Sequence, residues 1–310
     1  MSERLDVPPG LAAHREPGGG PFGDFLDRLP GLAREIVDEW QLTRDGAPRH
    51  GRSALVLPVR TAGGRPAVLK LGFPHDEAAH EHLGLQHWHG HGAVELLRAD
   101  PRRWALLLER LHPEDLTDLW DLEACEVVAG LYARLHVPAL PQLRRLSSYV
   151  GRRTDRLAAL PSDAPLPHRL VGQAVSLGRA FVRDEATDAR MIHGDLHYEN
   201  VLAADREPWL AIDPKPVAGD PHYEVAPMLW NRWEEVVASG NVRDAVRRRF
   251  HTLVDAAGLD EDRARDWTVV RLLHNALWVL EGATRERRGL GAEDRDVLTT
   301  AITVAKAVQD

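Results

Sequence analysis

Two periods of hydrophobic spacing divide this chain. Its first third carries short apolar runs bounded by turn residues. Ser53-Ala-Leu-Val-Leu-Pro-Val-Arg60 and Pro66-Ala-Val-Leu-Lys-Leu71 flank Thr61-Ala-Gly-Gly-Arg65 and predict a hairpin. Val94 to Asp100 and Trp104 to Leu111 predict a second, whose last strand runs into a connector. Phe25, Leu29, Leu32, Ile36 and Trp40 recur at near-helical spacing and predict one or two short helices, and residues 76–89 predict another. From Leu116 the helical period takes over. Leu116, Trp120, Ala124, Val127, Leu131 and Leu135 mark a long amphipathic helix, capped by Asp115 or Thr117 and closed by Pro138 and Pro141. Helical patterns follow over 143–159 and 169–189. They resume with Val225, Leu229, Trp233, Val236 and Val237, then continue over 241–256, 262–287 and 293–308. A β-rich third and a helical remainder with a short β insertion imply an α+β chain of two lobes with a cleft. Residues 24–110 form the first lobe and 111–310 the second, after a loose leader at 1–23 rich in Gly, Pro and charge.

Composition narrows the setting. The chain has 310 residues, 44% of them hydrophobic and 28% charged, as in an ordinary globular protein. No apolar run reaches the roughly 20 residues needed to span a bilayer, and the N-terminal stretch lacks the apolar core of a signal peptide. The single cysteine, Cys125, cannot form an internal disulfide, which agrees with a reducing, cytoplasmic compartment. With 39 basic and 47 acidic residues the formal charge is −8, which argues against a nucleic-acid partner and suits a cationic small molecule. Only three basic residues are lysines: Lys70, Lys215 and Lys306. Arginine is the default cation here, so a lysine in an apolar run stands out.

The chemistry gathers in Met191-Ile-His-Gly-Asp-Leu-His-Tyr-Glu-Asn-Val-Leu202 and the following Trp209-Leu-Ala-Ile-Asp-Pro214. Asp195, Asn200 and Asp213 lie at the ends of short apolar runs of strand length, so their side-chain oxygens can converge. Carboxylate and amide oxygens suit Mg²⁺, which usually completes its coordination with substrate phosphates. H-x-D-x-x-x-x-N followed by an Asp is the phosphoryl-transfer arrangement of protein kinases. Asp195 would accept the proton of the attacking hydroxyl, and Asn200 and Asp213 would hold metal. Two other readings compete: Asp195 and Asn200 as backbone caps of a tight turn, and His193, Asp195 and His197 as an H-x-D-x-H metal site of a hydrolase. The strand-borne Lys70 favours the kinase reading, because alternation places it beside Val68 on one strand face, where it could reach the α- and β-phosphates of a nucleotide. Its alternative is an edge lysine that deters aggregation. Glu81 is the preferred partner for its ammonium, with Glu77 as the alternative. Backbone groups of Glu109 to Leu111 could meet an adenine edge. His193 is expected to brace the loop backbone.

These stretches, with Ala54 to Val59, Val68 to Leu71, His80-Glu81 with Trp88, and the run on to Pro214-Lys-Pro-Val-Ala-Gly-Asp220, resemble the aminoglycoside phosphotransferase family, closest to its streptomycin 6-kinase and hydroxyurea phosphotransferase branch. The resemblance implies a bilobal protein-kinase-like fold, with a small antiparallel N-lobe sheet and a mostly helical C-lobe. It implies an O-phosphotransferase that uses ATP or GTP with Mg²⁺ on an alcohol of a cationic small molecule, as a monomer or weak dimer without nucleic-acid or membrane partners. Carried over, Lys70 and Glu81 serve the nucleotide phosphates, Asp195 is the base, and Asn200 and Asp213 bind metal. Asp220 and Glu224 are candidates for the cationic substrate. Lys215 is a candidate for phosphate or substrate, with a structural ion pair as its alternative. Two departures stand: no G-x-G-x-x-G precedes the first strand, and Tyr198 replaces the proline of the wider family's His-Pro-x-Asn form. A metabolite or hydroxyurea-type kinase and a nucleotide-binding pseudokinase are the rival readings.

Overall fold

The computed structural model describes residues 6–16 and 20–309, and the chain forms two compact units, Met1–His112 and Pro113–Asp310.

The first unit holds α1 (Pro9–Ala12), α2 (Pro21–Glu39), the short strands β1 (Thr43–Arg44) and β2 (Arg49–His50), β3 (Ala54–Arg60), β4 (Pro66–Gly72), α3 (Glu81–Trp88), β5 (Leu96–Asp100) and β6 (Ala105–Glu109). The sheet is antiparallel, in the order β1-β3-β4-β6-β5, with β2 also on β3. Both expected hairpins are present. Alternation along β4 buries Ala67, Leu69 and Leu71 and leaves Val68 and Lys70 on the opposite, half-buried face. The buried face packs with Leu29, Ala33 and Ile36 of α2 in one core. Each large aliphatic side chain so enclosed is worth about 1.5–3 kcal/mol over exposure. One helix, not two, covers 21–39. Pro21 starts it and Pro30 lies within it, so a hydrophobic face at unbroken helical spacing outweighs one missing backbone donor. The leader expectation needs revision for its described part. Leu11 of α1 is fully buried in the same core, because an apolar residue within reach of an open sheet face gains more from burial than from solvent. Residues 1–5 and 17–19 lie outside the described residues.

The second unit contains α4 (Asp121–Leu135), β7 (Val137–Pro138), α5 (Leu146–Ala158), α6 (His168–Val182), β8 (Arg190–Ile192), β9 (Val201–Ala203), β10 (Trp209–Ala211), β11 (Val217–Gly219), α7 (Val225–Trp230), α8 (Trp233–Ala238), α9 (Val242–Ala257), α10 (Glu261–Arg285) and α11 (Ala292–Ala307). Two small antiparallel sheets, β10-β9 and β11-β8-β7, frame the segment that carries His193, Asp195 and Asn200. The helix expected over 169–189 ends at Val182, with a separate turn at Glu185–Asp188, and two further helices differ from their periodicity for a visible cause. The first begins at Asp121, not Leu116: Asp115 accepts the Thr117 amide at 2.7 Å, and Arg232 donates to the Leu116 and Leu119 carbonyls, holding 116–118 as a separate turn. Trp120 is left 69% exposed, off the core face its spacing suggested. The pattern over 225–237 is broken into α7 and α8 by Arg232 itself, which adopts φ 51° as it makes those contacts. Among the described residues, no helix is long and apolar enough to cross a membrane.

Candidate functional site

In the first unit, Lys70 Nζ donates to Glu81 Oε1 at 2.6 Å, with both side chains largely shielded. Glu81 is the first residue of α3, whereas Glu77 falls in the exposed turn before it. The preferred partner is therefore the one that pairs. Glu109 ends β6 and accepts the Glu95 amide at 2.7 Å, while Leu111 lies half-buried in the connector.

In the second unit the loop from Ile192 to Val201 is held by its backbone. Gly194 is the hinge of the design. Its N–H donates to Glu224 Oε1 at 2.6 Å and its carbonyl accepts from Arg271 at 2.7 Å. It sits at φ +84°, and a Cβ there would stand 2.4 Å from the Lys215 carbonyl oxygen. Only glycine accommodates both conditions. His193, fully buried, donates its backbone N–H to Glu224 Oε2 at 3.1 Å. Its ring Nε2 faces the Ile212 carbonyl at 2.9 Å and its Nδ1 accepts the Asp195 amide at 3.3 Å. A carbonyl only accepts and an amide N–H only donates, so the ring is the neutral Nε2–H tautomer. Burial, which pushes its pKa down, agrees. Both ring nitrogens are thus spent on the chain, which removes His193 as a metal ligand and with it the H-x-D-x-H hydrolase reading. The bracing role expected of His193 is the one it has.

Asp195 follows on this frame. Its side chain keeps 24% exposure and forms an ion pair with Lys215, itself 31% exposed. Lys215 also donates its backbone N–H to the His193 carbonyl at 2.8 Å, so the Asp213-Pro-Lys215 segment and the Ile192 to Val201 loop are stitched side by side. Asn200 donates through Nδ2 to the Asp195 carbonyl at 2.8 Å. Its backbone carbonyl accepts the Ile212 amide at 2.9 Å, extending the β9–β10 ladder so that Ile212 stands opposite Asn200 and Asp213 is the next residue along. Asp213 takes φ 54°, a left-handed conformation that Asp tolerates better than most residues and that turns the chain out of the strand. An amide oxygen and a carboxylate form a hard-oxygen pair suited to Mg²⁺. Among the described residues no group of three or more His, Cys, Asp or Glu side chains could hold an ion, so such a cation would complete its shell with phosphate and water.

The expectation for Asp220 and Glu224 is overturned. Glu224 is fully buried, and besides the two loop amides it meets His136 Nε2 at 2.9 Å. Burial pushes its pKa up, but the hydrogen bond and charge of His136 and the Gly194 amide outweigh this and hold it below the ordinary value. Asp220 is 1% exposed and accepts from the His222 amide, Trp267 Nε1 and Arg263 Nε at 3.0, 2.8 and 2.7 Å. These oxygens are consumed within the fold and do not face a substrate. Sequence reasoning missed His136 and Arg271 as parts of this brace. Arg271 had a signal: it interrupts Trp267-Thr-Val-Val-Arg-Leu-Leu273, a run that is otherwise almost wholly apolar, as a buried anchor would. Trp230 and Trp233 are half-buried, with the Arg271 guanidinium 5.4 Å from the Trp230 ring centroid.

Comparisons with known proteins supply the family. Residues 39–282 match the model of the aminoglycoside/hydroxyurea antibiotic resistance kinase family. The chain is 43% identical to a streptomycin 6-kinase of Streptomyces glaucescens, over 99% of this chain and 98% of that one. It is 38% identical to a hydroxyurea phosphotransferase of Kitasatospora aureofaciens, over 94% and 83%. An aminoglycoside phosphotransferase solved in ternary complex with ADP and hygromycin B superposes with a TM-score of 0.57 at 15% identity, covering 88% of this chain and 97% of that one. The chain therefore belongs to the aminoglycoside/hydroxyurea antibiotic resistance kinases, phosphotransferases of protein-kinase-like α+β fold that act on a hydroxyl group.

Proposed function

We propose that the protein transfers the γ-phosphoryl group of ATP to an alcohol of a streptomycin-type aminoglycoside, and so confers resistance to it. The observation that carries this reading is the build of the catalytic loop: buried hydrogen bonds fix the backbone at His193 and Gly194 while the Asp195 carboxylate keeps 24% exposure. Phosphoryl transfer asks for alignment and charge neutralisation more than covalent help, and a rigid loop presenting one reachable carboxylate supplies the first. Asp195 orients the acceptor hydroxyl and takes its proton. Lys70, held by Glu81, places positive charge on the nucleotide phosphates. Asn200 and Asp213 hold Mg²⁺, which when bound neutralises charge on the phosphates. Lys215 keeps the Asp195 carboxylate in place until the acceptor enters. The streptomycin 6-kinase relatives support the acceptor class, and the net charge of −8 suits a polycation. Use of ATP suits a cytoplasmic enzyme.

The test is a coupled ADP-release assay of the full chain with Mg²⁺ and either ATP or GTP, run against streptomycin, other aminoglycosides and hydroxyurea. Streptomycin-dependent turnover, with a mass gain of one phosphate on the antibiotic, is expected. Turnover with hydroxyurea alone would move the protein to the reading favoured by its hydroxyurea phosphotransferase relative. Absence of turnover with every acceptor, despite nucleotide binding, would leave the pseudokinase reading.

A further inference from the structure

Asn200 is the one site residue whose usefulness depends on which way round its side chain lies, since only one end of an amide is an oxygen. The amide is 9% exposed, and its Nδ2 has two neighbours: the Asp195 carbonyl oxygen at 2.8 Å and His197 Nε2 at 3.1 Å. A carbonyl oxygen only accepts, so the atom facing it is nitrogen whatever label it is given. The second N–H then points at His197 Nε2, which must present its lone pair. Reversing the amide would set an oxygen against two acceptors. The ring hydrogen of His197 accordingly lies on Nδ1. That Nδ1 is buried and has no hydrogen-bond partner among the described residues. A buried donor left without an acceptor is a cost, and an apolar ring of similar size would avoid it. The ring is worth that cost only for its other nitrogen.

We propose that His197 is a positioning residue for the metal-binding amide: its Nε2 takes up the second Asn200 N–H and so turns the Asn200 oxygen away from the loop, toward a bound cation. This rests on the reading of Asn200 as a metal ligand. The role differs from that of His193, whose ring bonds the Ile212 carbonyl and the Asp195 amide of the backbone. Partners of this kind, one bond behind a ligand, typically change metal affinity by about 10–100-fold when removed.

The test uses the full chain saturated with ADP and titrates Mn²⁺, followed by electron paramagnetic resonance, with no acceptor present. His197→Gln keeps an acceptor near the Nε2 position, and His197→Phe removes it while filling the space. Mn²⁺ dissociation is expected to weaken about 10–100-fold in H197F and to stay within about threefold of wild type in H197Q. Turnover of H197F should recover as Mn²⁺ is raised, a rescue that general loosening of the loop would not give. If H197F does not unfold cooperatively, His197→Leu replaces it. Wild-type affinity in folded H197F or H197L, or equal weakening in H197Q, overturns the role of His197 while leaving Asn200 as a ligand. If the wild type and an Asn200→Ala variant bind Mn²⁺ alike, the metal reading itself fails, and this inference with it.

Discussion

Two stretches only seven residues apart use acidic side chains in opposite ways. From His193 to Asp213, the acids and an amide sit in the loop and turns at the ends of short strands, and Asp195 keeps part of its surface open while one cation, Lys215, steadies it. From Asp220 to Glu224, the carboxylates are shut inside and surrounded by donors: two backbone amides and His136 on Glu224, and His222, Arg263 and Trp267 on Asp220. The first arrangement leaves a carboxylate able to exchange partners, as proton transfer requires. The second forbids exchange, because a buried charge stripped of its donors has no water to turn to. Within one segment, then, one carboxylate is left reachable and others are enclosed as braces, Glu224 bonding the loop that carries Asp195.

The comparison is most sharply tested at Asp195. Asp195→Asn should lower kcat by roughly 10²–10⁴-fold with the thermal midpoint nearly unchanged, read by ADP release and calorimetry. A comparable loss of stability would place Asp195 with the structural acids. Glu224→Ala should do the reverse, costing about 3–5 kcal/mol in urea unfolding because it leaves the His193 and Gly194 amides and His136 without their acceptor. The same carboxylate carries a pH signature. Its folded pKa lies below the ordinary 4.5, so its contribution is complete above that value and is lost as pH falls through the lower folded one. Stability measured from neutral pH into this acid range should therefore fall less steeply in Glu224→Gln than in the wild type.

Gly194→Ala comes next. The left-handed backbone and the 2.4 Å approach to the Lys215 carbonyl force the loop to shift, with about 1–3 kcal/mol of strain from conformation alone. Catalysis should suffer more than nucleotide affinity, seen as a drop in kcat with little change in the KM for ATP. The smallest effect is expected at Trp120. With 69% of its surface exposed, Trp120→Ala should change unfolding free energy by no more than about 0.5 kcal/mol. A larger loss would restore the core position its spacing suggested.

Much of the fold was legible because it follows from local rules. Turn residues at Thr61 to Arg65 and alternation along Pro66 to Leu71 predict the hairpin and the face that carries Lys70, and its pairing with Glu81 was the preferred choice. The segment from Met191 to Pro214 stood out because phosphoryl-transfer chemistry calls for particular residue types at fixed spacing. The first errors lie where a distant partner overrides a local pattern. Arg232 reaches back to the Leu116 and Leu119 carbonyls, which delays α4 and splits the helical pattern after Val225. Leu11 stands in a Gly- and Pro-rich stretch that reads as leader, yet the sheet gives it a place to bury.

Asp220 and Glu224 show the same limit at the site. A carboxylate has one composition and two possible fates, and which it meets depends on donors 31 and 30 residues away at His193 and Gly194, and 88 away at His136. The sequence alone determined the kinds of element, the family and the chemistry-bearing loop, because periodicity, turn chemistry and motif spacing are all properties of neighbouring residues. Which acids stay open and which are enclosed was decided by tertiary structure, because desolvation and hydrogen-bond satisfaction depend on segments that meet only once the chain has folded.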